Sequence, residues 1–86
     1  MSFLQFLIDT MCANFNRESM RNLVKARLDQ GACTIDDIAQ EIMQRDRTLD
    51  IVSAQRLAEA AVEALTESGE VTIRGAYVHP ASRVAS

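Results

Sequence analysis

The chain has 86 residues, of which 48% are apolar and 24% charged, and a formal net charge of −3. That is one domain's length with enough apolar residues for a core, which excludes a disordered chain. The acidic balance excludes nucleic-acid affinity arising from net charge alone. Segments 16–33 and 71–86 are net positive and 34–70 net negative, so a binding role must follow from where the charges sit.

Residues 2–15 place Leu4, Leu7, Ile8, Met11, Cys12 and Phe15 at helical i, i+3, i+4 spacing, with Ser2 and Gln5 set as a capping box. Phe3 and Phe6 widen the apolar stripe beyond one face, so this helix is expected to be covered from two sides. The expected interface of a homodimer is Phe3, Leu4, Phe6, Leu7 and Met11, and burial within the chain is the alternative. The run FLQFLI has no Lys or Arg before it and reaches Asp9 after six residues, too short for a signal segment or a membrane span. A cytoplasmic location is expected.

Asn14 or Asn16 is set to cap a second helix running to about Gln30, with Met20, Leu23, Val24 and Leu28 inward and Gly31 ending it. Arg17, Arg21 and Lys25 fall at i, i+4 and i+8, a basic stripe that is either a solvated face or a contact for phosphate or an acidic partner. Ala32 and Cys33 are placed to add a short strand. Thr34 then caps a helix with Asp37 three residues on, and Ile35, Ile38, Ala39, Ile42 and Met43 supply its inner face while Gln40, Glu41 and Gln44 point outward.

The linker QRDRTLDIV is expected to be pinned to the core by Leu49, Ile51 and Val52, with Arg45 and Arg47 serving the helix dipole or phosphate. From Ser53 to about Ser68 a further helix sets Ala54, Leu57, Ala58, Ala61 and Leu65 on one face, with Val62 at its edge and Gly69 stopping it. The period then switches to two. Val71, Ile73, Tyr77 and His79 alternate around Arg74, Gly75 and Ala76, a tight hairpin that Pro80 ends before a frayed SRVAS tail.

Cys12 and Cys33 show no CxxC or His/Cys spacing and read as structural thiols in a reducing compartment, with no metal or cofactor expected. His79 has neither a paired nucleophile nor a Gly-rich phosphate loop beside it, so no enzymatic role is expected.

Helix, short strand, two helices and the ending LTESGEVTIRGAYVHP resemble the winged helix-turn-helix superfamily over about three quarters of the chain. The expected fold is therefore mainly α with a small β-hairpin: an added helix at 1–15, a winged-helix domain at 16–80 and a flexible tail at 81–86. In DNA-binding members the third helix of the domain enters the major groove and the wing touches the backbone. The resemblance then implies groove-facing Ser53, Gln55, Arg56, Glu59 and Ala60, with Glu63 further along. Arg21, Lys25, Arg45, Arg47, Arg74, Tyr77 and Arg83 are the corresponding backbone anchors. Arg56 suits guanine and Gln55 adenine, whereas Glu59, Glu63 and Glu67 oppose phosphate. The function expected from this shape is that of a small homodimeric protein that binds double-stranded DNA as a transcriptional regulator or accessory factor, and a module that binds another protein and no nucleic acid is the alternative.

Overall fold

The computed structural model describes residues 3–11 and 15–81, without the side chains of Phe3 and Met11. Among these residues the molecule is mainly helical with a two-stranded antiparallel hairpin: α1 (Phe3–Met11), α2 (Arg17–Leu28), α3 (Ile35–Arg45), α4 (Ile51–Glu67), β1 (Val71–Arg74) and β2 (Tyr77–Pro80). No helix among them is long and apolar enough to cross a membrane.

Each of the three later helices starts at a side-chain cap. Asn16 accepts from the Ser19 amide at 2.8 Å, and the Ser19 hydroxyl accepts from the Asn16 amide at 2.9 Å. Thr34 and Asp37 exchange the same pair of bonds, 3.1 Å and 3.0 Å, and the amide of Thr34 holds the Asp37 carboxyl below its ordinary pKa. Both are capping boxes that satisfy amide groups the helix cannot pair internally. α4 begins two residues earlier than its periodicity indicates, because Asp50 rather than Ser53 is the cap and accepts from the Ser53 amide at 2.9 Å. That start corrects the expected linker: Ile51 and Val52 are exposed on the first turn of α4, and of the three apolar linker residues Leu49 alone packs against the core.

Two further boundaries move. α2 ends at Leu28, and the chain turns through Asp29 and Gln30 into Gly31, whose φ of 122° is a conformation other residues rarely adopt. Phe15 is buried but outside a helix. Ser2, Cys12, Asn14 and the SRVAS tail lie outside the described residues, and with them the expected first capping box.

The core forms where α1, α2, α3 and β1 all pack on α4. Ala54, Leu57, Ala58, Ala60, Ala61, Val62 and Leu65 of α4 are buried, together with Leu4, Leu7, Ile8, Met20, Leu23, Val24, Leu28, Ile38, Ala39 and Ile42. In the hairpin Val71 faces Pro80, Thr72 faces His79, Ile73 faces Val78 and Arg74 faces Tyr77. Alternation puts Val71, Ile73 and Val78 on the inner face and Thr72, Arg74, Tyr77 and His79 on the outer one. Pro80 continues the strand instead of ending it, because the ladder bond at this end runs from the Ala81 amide to the Glu70 carbonyl, 3.1 Å, leaving position 80 unbonded to β1. Cys33 adds a one-residue third rung by exchanging backbone bonds with Val78. Its thiol is fully buried, and that burial raises its pKa.

Thr34→Ala removes one half of the α3 capping box and should cost about 1 kcal/mol in urea unfolding, against about 2–5 kcal/mol for Ile42→Ala in the core.

Candidate functional site

Two surfaces result from the way α4 and the hairpin meet. On one side, Glu70 occupies the junction between them, and α2 reaches it from across the fold. Arg21 donates from Nε at 2.8 Å and approaches the same Oε1 through Nη2 at 2.7 Å, Lys25 Nζ lies at 3.1 Å, and the Ser68 hydroxyl donates to Oε2 at 2.9 Å. The Arg21 bond, then those from Ser68 and Lys25, lower the Glu70 pKa from 4.5 to about 2, and the same contact raises that of Arg21. Two cations of the predicted basic stripe are therefore committed to an internal carboxylate. This latch joins residues 49 positions apart in the chain, and nothing in the local pattern announces it.

On the other side, a groove of about 520 Å³ is lined by residues of α4 together with Ile35 of α3 and Ile73 of the hairpin. Its apolar lining is Ile35, Ala60, Val62 and Ile73, and its polar lining is Glu59, Glu63, Thr66 and Glu67. Thr66 turns its hydroxyl back to the Val62 carbonyl at 2.7 Å, so the carboxylates are the charged groups of this lining. Ile73 is half-exposed although it shares the inner face of the hairpin with the buried Val71 and Val78, and it lines the groove with residues of α4. Among the described residues Glu59, Glu63 and Glu67 make no ion pair.

The remaining residues expected to touch DNA divide between these arrangements and open solvent. Gln55 donates to Asp36 at 2.8 Å, which links α4 to α3 and occupies the amide that adenine recognition would use. Ser53 is half-buried beside its cap, and Ala60 is buried, which corrects its placement among groove-facing positions. Arg45 pairs with Glu41 at 3.0 Å, one turn back on α3. Arg27 lies 3.7 Å from Asp37, a pair that joins the end of α2 to the start of α3. Arg17, Arg47, Arg56 and Arg74 are exposed and make no ion pair among the described residues, and Tyr77 is exposed as the cross-strand neighbour of Arg74. Arg83 lies outside the described residues.

No family model matches the chain, and neither the curated proteins nor the solved structures yield a match. The site's own chemistry therefore carries the functional argument. Among the described residues no cluster of His, Cys, Asp and Glu has the geometry of a metal site.

Of the expected dimer contacts, Leu4 and Leu7 are taken up by the chain's own core, which corrects their placement at an outer surface. Phe6 is 54% exposed on the opposite side of α1, and the side chains of Phe3 and Met11 lie outside the described ones. The groove lining was half legible in advance: the glutamates at four-residue steps declare a shared face, whereas the contributions of Ile73 from the hairpin and Ile35 from α3 depend on how these elements pack on α4.

A carboxylate whose folded-state pKa lies below its unfolded one adds stability that is fully present above the unfolded value and is lost as pH falls through the folded value. For Glu70 that window runs from pH 4.5 down to about 2. Asp37 and Asp50, also lowered by their caps, act in the same direction. Glu70→Gln should flatten, without abolishing, the loss of stability on acidification across this range, measured by urea unfolding at a series of pH values.

Proposed function

We propose that residues 16–80 are a winged helix-turn-helix module that works by binding another protein through the face shared by α4 and the hairpin. The order α2, Cys33 rung, α3, α4 and hairpin supports the winged-helix reading, as does the pairing of Cys33 with the second hairpin strand. The observation that carries the function is the groove, in which Glu59, Glu63 and Glu67 stand beside an apolar floor. In the DNA-binding arrangement this helix approaches phosphate, which carboxylates repel, and the apolar floor has no partner there. Half-exposed Val52 on the first turn of α4 and Ile73 on the hairpin add exposed apolar side chains suited to a protein.

Duplex DNA binding is the second reading, and it rests on Arg47, Arg56 and Arg74, which are free of ion pairs among the described residues. Arg21, Lys25 and Arg45, committed to Glu70 and Glu41, are weaker candidates for it. A labelled random-sequence duplex titrated at low salt separates the two. The partner reading expects no salt-sensitive binding. Binding in the range of about 10⁻⁴ to 10⁻⁶ M that is lost in Arg56→Ala/Arg74→Ala overturns it in favour of DNA. Co-purification supplies the positive arm: a protein retained by the wild type should be lost with Ile73→Ser.

A homodimer through α1 belongs to the same proposal, since Phe6 is exposed on a helix whose inner residues Leu4, Leu7 and Ile8 are buried. Light scattering should show Phe6→Glu as a monomer and the wild type as a dimer at micromolar concentration. A monomeric wild type defeats the dimer.

A further inference from the structure

We infer that the occupant of the groove is a basic amphipathic helix of the partner protein, an inference that rests on the protein-binding reading above. Glu59, Glu63 and Glu67 follow one another at four-residue steps along α4 and line the same cavity as Ile73. On an α-helix such steps are about 6 Å apart, so the three carboxylates form a row about 12 Å long. Like charges four residues apart destabilise the helix that carries them, and among the described residues none of the three is in an ion pair. No basic side chain lines the groove either.

These properties define the complement. The apolar floor takes aliphatic side chains, and the row of carboxylates takes cations repeating with the same pitch. A helix laid along α4 with Leu on one face and Lys or Arg at i, i+4 and i+8 beside it supplies both, because its own charges repeat at the same step of about 6 Å. Acidic and neutral apolar helices match the floor and leave the row unpaired. A nucleic acid meets the row with its own negative charge. The binding mode is an amphipathic helix seated in a hydrophobic groove, with charge deciding which helix enters.

Three labelled peptides of equal length test this by fluorescence anisotropy. One has Leu and Lys in helical periodicity, one has the same composition in strict alternation, and one has Leu and Glu in helical periodicity. The helical Leu/Lys peptide should bind the full chain best. Its affinity should fall about tenfold in Glu59→Gln/Glu63→Gln/Glu67→Gln, the sum expected of three solvent-exposed ion pairs. Ile73→Ser should weaken it through the floor, and raised salt should weaken the wild type more than the triple variant. The substituted side chains lie on the surface, and matching circular dichroism melts confirm that the variants fold.

Equal binding by the triple variant overturns the inference, as does tighter binding by the alternating peptide. Binding of the Leu/Glu helix that depends on Ile73 overturns the basic partner and leaves the protein-binding face standing. Failure of all three peptides, with salt-sensitive duplex binding, removes that face as well.

Discussion

Seven side chains of α4 are buried, four of them alanines, and α1, α2, α3 and β1 all pack against this one helix. Alanine makes this possible: it is the strongest helix former and its small side chain lets several elements approach one axis closely. A helix surrounded on most sides has one outward strip left, and in this chain the strip carries Arg56, Glu59, Glu63 and Glu67. The same constraint that builds the core therefore selects the residues of α4 left at the surface. Substitution on the buried side alters the core, whereas substitution on the strip alters what the molecule meets.

The hairpin is held to this core by two kinds of force. Val71 and Val78 are buried, and burial of such side chains is worth about 1.5–3 kcal/mol each, the larger contribution. The Glu70 latch is exposed to solvent and screened, so it adds less while joining α2 to the junction of α4 and β1. Ile73 of β1 lines a groove together with the outer strip of α4. Cys33 secures the other strand through two backbone bonds to Val78 and through burial of its side chain in the same core.

Charge placement separates the two functional readings more sharply than net charge does. Arg21, Lys25, Arg27 and Arg45 are each directed at a carboxylate of the same chain. Those cations contribute mainly to holding helices and hairpin in register. The carboxylates of α4 have no such partner among the described residues, and they line a groove with an apolar floor that Ile73 of the hairpin shares. A partner-binding surface with cationic selectivity is the economical reading of that asymmetry.

Much of the architecture was legible residue by residue. Thr34 with Asp37, and Asn16 with Ser19, mark helix starts through local hydrogen bonding, and the inner faces of α2 and α3 follow from periodicity alone. The start of α4 was misplaced because Asp50 and Ser53 are both competent caps, and Ile51 and Val52 read as core when their helical positions turn them outward. Local signals act over three or four residues, the reach of a capping bond or a helical turn, and so the sequence by itself determined helices, hairpin and the row of glutamates. The pairing of Arg21 and Lys25 with Glu70, of Gln55 with Asp36, and of Ile73 with the strip of α4 was decided by the tertiary structure alone. Each joins residues far apart in the chain, and only the packing of helices around α4 brings their side chains within reach.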